Sequence, residues 1–180
     1  GTRLSLGDDA TVNVPAGASA SFFGQSYTSA FVNSDGNITF GEGDTASSAR
    51  DIARFLTGAP RVALAFADLD PSAGGAVFAN ARADAFIVTW CNVPGFEDPL
   101  MVTAQLVLAP DGSVTMRFAD TTTKRDFIVG VSPGRTDAFT PVNLSSAATA
   151  TVAGGGAAAG ERFAPSPEVD LAELAKKFYR

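Results

Sequence analysis

The sequence predicts an all-β fold, an antiparallel β-sandwich of jelly-roll-like kind with one short internal helix and a C-terminal helix. Three observations predict it. Apolar residues alternate with period two over many short runs, Asp-Gly pairs stand between such runs, and only two segments carry a helical spacing.

Ala30 to Asn33 and Asn37 to Phe40 form the first pair of runs, with Asp35-Gly36 between them as the hairpin turn. A helix follows. Asp44 or Thr45 is placed to cap its start, Ile52, Phe55 and Leu56 give it an apolar stripe, and Gly58 with Pro60 stops it. Such a helix is expected to plug the open end of a sandwich. Arg61 to Leu69 and Ala76 to Asn80 read as further strands. In Asp84 to Val93, Phe86, Val88 and Trp90 share one face and Ile87, Thr89 and Cys91 the other. Leu100 to Leu108, Asp111-Gly112 and Val114 to Phe118 make a second hairpin, and Phe127 to Val131 is the last expected strand.

The sandwich domain is placed at residues 1–152. Residues 153–167, rich in Gly, Ala and Pro, read as a linker. Residues 168–180 read as a helix that could open a following domain. Ser166 is its N-cap, Pro167 stands at N1, Glu168 and Asp170 fill the first turn, and Lys176, Lys177 and Arg180 its end. The chain begins at Gly1 without a leader, which reads as a processed form or fragment. Arg180 reads as a boundary inside a longer protein.

What the chain lacks narrows its chemistry. There is no histidine among the 180 residues, so Ser-His-Asp and Cys-His relays cannot form, and imidazole zinc sites are excluded. Cys91 is the single cysteine, so no disulfide can close within the chain. The net charge is −6 and the basic residues are scattered, which disfavours nucleic acid as a partner. No apolar run approaches the ~20 residues of a membrane-spanning helix. Arginine outnumbers lysine and alanine is abundant, a habit that correlates with GC-rich bacterial genomes.

Four motifs carry candidate chemistry. Gly130-Val131-Ser132-Pro133-Gly134 has the letters of a nucleophile elbow. With no histidine base, and with Pro133 removing an N–H that an oxyanion would need, it reads as a strand end turning through Pro-Gly. Asp44-Thr45-Ala46 and Asp120-Thr121-Thr122 lack the glycine of an aspartic-protease loop. Glu97 with Asp98, or Asp68 with Asp70, could in principle serve as a glycosidase carboxylate pair. Asp68 and Asp70 close an apolar strand at i and i+2, ahead of a loop with free carbonyls. They are the candidate metal ligands, and calcium is the one cofactor they suit. Asn33, Asp35 and Asn37 form another oxygen-rich cluster that hairpin chemistry accounts for. Asn37-Ile38-Thr39 and Asn143-Leu144-Ser145 fit the glycosylation sequon.

Taken in order, FFGQSYTSAFVNSDGN (22–37) running into ITFG (38–41), PRVALAFADLD (60–70), FIVTW (86–90), Ala104 to Phe118, and IVGVSPG (128–134) resemble the nidogen-like (NIDO) extracellular domain. The form is that found in bacterial exported proteins. The resemblance implies an all-β module of adhesive, matrix-associated or multidomain surface proteins, with no catalytic residues of its own. Leu64-Ala65-Phe66 stands where the family often has Pro-Phe-Trp, and the cysteines of animal members are missing. These departures weaken any transfer of animal matrix partners such as collagen or laminin.

The expected function is a non-catalytic interaction, adhesion or spacer module of a larger exported bacterial protein. Its expected place is extracellular or at the cell surface. Its partner is a protein or glycan on a cell surface or matrix, with neither nucleic acid binding nor membrane insertion. Two alternatives are a calcium-dependent carbohydrate-binding jelly roll and a glycoside hydrolase using a carboxylate pair.

Overall fold

A computed structural model describes residues 1–119, 126–144 and 156–163. Two sheets face each other across one apolar core. The smaller contains β1 (Thr2–Leu4), β6 (Ala76–Ala81), β7 (Phe86–Gly95), β8 (Asp98–Leu108) and β9 (Val114–Phe118), in that spatial order. The larger is ordered β11 (Phe139–Pro141), β12 (Ala158–Phe163), β10 (Phe127–Ser132), β5 (Arg61–Phe66), β4 (Asn37–Thr39), β3 (Gln25–Asn33) and β2 (Thr11–Phe22).

The sandwich is thus as expected, but the strand order is not that of a jelly roll. β2 to β5, with residues 40–60 inserted between β4 and β5, and β6 to β9 each lie side by side in chain order within one sheet, whereas a jelly roll passes strands from sheet to sheet. The pairing is antiparallel except where β11 lies parallel to β12.

The period-two pattern works as read. Val32, Ile38, Val62 and Leu64 point from the larger sheet toward Phe86, Val88, Trp90 and Leu106 of the smaller one. Trp90 is fully buried at the centre. At about 25 cal/mol per Å2 of apolar surface, this layer is the dominant stabilising contribution.

The internal helix, α1 (Ile52–Thr57), is capped by Asp51, whose side chain accepts from the Arg54 N–H. The cap therefore lies several residues beyond the expected Asp44 or Thr45. Nor does α1 plug an open end. Phe55 and Leu56 pack with Ala63, Phe66, Ile128 and Ala158, so α1 covers the outer face of the larger sheet.

The largest departure concerns the expected linker at 153–167. Within it, residues 158–163 form β12, an interior strand paired to β10 from Phe127↔Phe163 to Val131↔Ala159. Its low side-chain volume is what the site demands. Gly130 faces Gly160, and a Cβ on Gly130 would stand 2.3 Å from the Ala159 carbonyl oxygen. The Gly/Ala composition therefore marks a tight strand pair here. The expected helix at 168–180 lies outside the described residues.

Candidate functional site

The only internal charge cluster among the described residues sits on the outer face of the larger sheet, under residues 40–51 and α1. Its floor is polar because of strand register. Asn33 opposes Asn37, Asn37 opposes Ala63 and Thr39 opposes Arg61, so their side chains face away from the sandwich core. Asn33 Nδ2 donates to Asn37 Oδ1 at 2.9 Å and to Thr39 Oγ1 at 3.2 Å, while its Oδ1 accepts from the Asp44 N–H. Asn33, Asn37 and Thr39 are fully buried, and each has its hydrogen bonds met within this ladder.

Asp35 stands at the tip of the β3–β4 turn and is also buried. The turn is possible because Gly36 has a φ of +66° and no Cβ. A Cβ would lie 2.2 Å from the Ala65 carbonyl oxygen. The Gly36 carbonyl in turn accepts from both Leu64 and Ala65 N–H groups, making a β-bulge in β5.

Three arginines close over this floor. Arg50 Nε donates to Asp35 Oδ2 at 2.7 Å, and its Nη2 reaches Asp9 and Asp68. Arg54 donates to Asp44 Oδ1 at 2.7 Å and, more distantly, to Asp35. Arg61 Nη1 donates to Asp44 Oδ2 at 2.8 Å. The Arg54 and Arg61 guanidinium groups both lie over the Phe66 ring, about 5 Å from its centroid.

Burial sets the titration of the two central carboxylates apart. Burial pushes Asp35 up to about 6, and the hydrogen bond and charge of Arg50 with the charge of Arg54 offset it only in part. Burial also pushes Asp44 up, but hydrogen bonds from Arg54 and Arg61 outweigh it and hold that carboxyl below the usual range. For Arg50, burial is outweighed by Asp35, Asp68 and Asp9, which hold the proton more firmly. For Arg61, burial wins and its hold on the proton is weakened.

The predicted metal ligands lie at the margin of this network. β5 ends at Phe66 and not at Leu69, and Asp68 to Asp70 cross from the larger sheet toward the smaller, where Leu69 bridges Gly95. Asp68 pairs with Arg50 at 3.0 Å, and Asp70 accepts from the backbone N–H and hydroxyl of Ser72. Asp8 joins this corner; burial, Asp9, Asp70 and Asp68 all raise its pKa. Among the described residues no group of three or more candidate ligands is gathered to hold a metal ion.

The other candidates are placed as follows. Ser132 is fully buried, and its hydroxyl accepts from the Gly134 N–H, as the strand-end reading expects. Glu97 is exposed at the β7–β8 turn, where Gly95 pairs with Asp98. Asp44 belongs to the arginine network, and residues 120–122 lie outside the described residues. Asn37 is buried, whereas Asn143 is exposed.

Sequence reading misses Arg50, Arg54 and Arg61. Two signals are present: arginines four apart ahead of and inside a helix, and one charge opening the otherwise apolar RVALAF run.

The architecture defines a two-sheet β-sandwich whose one buried charge cluster, among the described residues, is a network of ion pairs between arginines and aspartates. The NIDO-related family model matches residues 1–162, and the chain belongs to that family. The match includes β12, so all but the last residue of that strand falls inside the family's span. No curated protein and no solved structure matches the chain. No helix among the described residues is long and apolar enough to cross a membrane.

Proposed function

We propose that the chain is a non-catalytic interaction, adhesion or spacer module of a larger exported bacterial protein, working outside the cell against a protein or glycan partner. The observation that carries this reading is the NIDO-related match over residues 1–162. The charge network supports it, because Asp35, Asp44 and Asp68 are tied to arginines instead of standing in an open cleft as an acid–base pair.

Protease shaving of intact cells that make the parent protein tests the placement. Release of fragments from this domain is expected; complete protection until lysis would overturn it. A panel of chromogenic glycosides, with Glu97→Gln as control, tests the hydrolase alternative. Turnover that disappears in Glu97→Gln would replace the binding reading with an enzymatic one.

The specific observation favouring calcium-dependent glycan binding is the crowding of Asp8 and Asp9 against Asp68 and Asp70. Against it stands the engagement of Asp68 by Arg50.

A further inference from the structure

The two sheets differ in what lies on their outer sides. The larger is covered by α1 and residues 40–51. The smaller has no such cover among the described residues: Phe78, Ile87, Thr89, Gln105 and Val107 keep part of their surface in solvent, and Thr115 and Arg117 are exposed. Register sets five outward side chains in one row across all five strands. Arg3 opposes Phe78, Phe78 opposes Thr89, Thr89 opposes Gln105 and Gln105 opposes Arg117. The polar half of the row is ordered in advance. Arg117 Nη1 donates to Gln105 Oε1 at 3.0 Å, and Gln105 Nε2 donates to Thr89 Oγ1 at 3.0 Å. Ile87 opposes Val107 beside it, which gives the row an aliphatic flank.

Charge sets this face apart from the rest of an acidic chain. Its strands contain one acidic residue, Asp98 at the start of β8, of the 19 in the sequence. Arg3 and Arg117 stand on its two edge strands, and Arg3 also donates to the Gly75 carbonyl. In the turns at one end, Asp84 is paired with Arg82 and Asp111 accepts from the Ser113 N–H.

We propose that the outer face of the smaller sheet is the recognition surface of the interaction module, and that it binds an acidic polysaccharide laid across the strands. Uronate carboxylates meet Arg117 and Arg3. This rests on the reading of the chain as an interaction module and names the class of its partner. The absence of negative charge between two edge arginines matches a polyanion. Strands about 4.8 Å apart place one side chain of the row under each sugar of an extended chain. Gln105 and Thr89 can both donate and accept, as sugar hydroxyls require, and Phe78 offers a ring to the C–H side of a sugar. A protein partner is favoured less, because Phe78, Ile87 and Val107 are half-buried and none stands free as an anchor.

The test is an NMR titration of the isotope-labelled full chain, in EDTA, with tetragalacturonate, with its methyl ester and with tetra-aspartate. The side-chain N–H resonances of Gln105 and Arg117 and the Thr89 and Ile87 amides are expected to move together and saturably with the acidic sugar. Affinity for the ester is expected to be at least tenfold lower. Arg117→Glu should weaken binding at least tenfold. Thr115→Lys, which adds a cation two positions away on the same face, should strengthen it severalfold. Both positions are exposed, so melting should stay that of the parent. Resonances of this face that never move, an equal response to acid and ester, or variants without effect on binding overturn the site. An equal or stronger response to tetra-aspartate overturns the sugar assignment and makes the partner an acidic peptide. Surface release in the shaving experiment is untouched by any of these outcomes, so the two readings fail separately.

Discussion

Asp35 Oδ2 and Arg50 Nε meet at 2.7 Å, joining the tip of the β3–β4 turn to a loop fifteen positions further on. Both side chains are nearly sealed from solvent, at 2% and 8% exposure. Through the same guanidinium the contact extends to Asp9 and Asp68, so a single arginine ties together four segments of the chain.

The first prediction concerns pH. Asp35 titrates at about 6 in the fold against 3.8 for a free side chain, so the folded state binds its proton more tightly. Its contribution to stability is fully present below about pH 4 and is lost as pH rises through about 6. Asp35→Asn removes this dependence. Relative to the parent, the variant should gain up to ~3 kcal/mol between pH 4 and pH 7, the equivalent of about two pKa units. Urea unfolding at both pH values reads the difference. A gap independent of pH contradicts the assignment.

Gly36→Ala should be severely destabilising. The alanine meets a left-handed φ of +66° and an Ala65 carbonyl oxygen 2.2 Å away. A loss of at least about 3 kcal/mol is expected from strain and overpacking together. Thermal melting checks it; a loss under about 1 kcal/mol would mean that the turn relaxes.

Cutting the chain after Ala157 should remove β12 from between β10 and β11. Phe127 then loses its stacked partner Phe163, 4.7 Å away, and Ile128 loses the cover of Ala158. Near-UV circular dichroism of this truncated chain should show lost tertiary packing at temperatures where the full chain is folded. Native-like signal and melting would mean that β12 is dispensable.

Calcium should leave the melting curve where EDTA leaves it, because Asp68 already carries Arg50 and Asp70 is occupied by Ser72. A calcium-specific rise of several degrees, absent in Asp68→Ala, would instead place a metal in that corner.

The sandwich is legible wherever large apolar side chains alternate, as in β7, with Phe86, Val88 and Trp90 inward. It is illegible where small residues carry the strand. β2 contains Pro-Ala-Gly-Ala-Ser-Ala, and β12 begins Ala-Ala-Gly. An edge position tolerates the proline of β2, and the Gly130–Gly160 approach requires the smallness of β12. Neither reason is visible before the strands are brought together. The arginine network is hidden for a related cause. Asn33, Asp35 and Asn37 are sufficient to make a hairpin, and the spacing of Arg50 and Arg54 marks a basic pair without showing that Arg50 folds back upon that hairpin.

The most direct measurement is a double-mutant cycle in urea at pH 7 on Asp35→Asn, Arg50→Gln and the two combined. If the buried pair is what holds residues 40–51 to the sheet, Arg50→Gln alone should cost about 3–5 kcal/mol, because it strands a buried carboxylate. The combined variant should then be less destabilised than the sum of the singles by about 2 kcal/mol or more. Strictly additive losses would contradict the account and leave Asp35 and Arg50 as neighbours without a shared role.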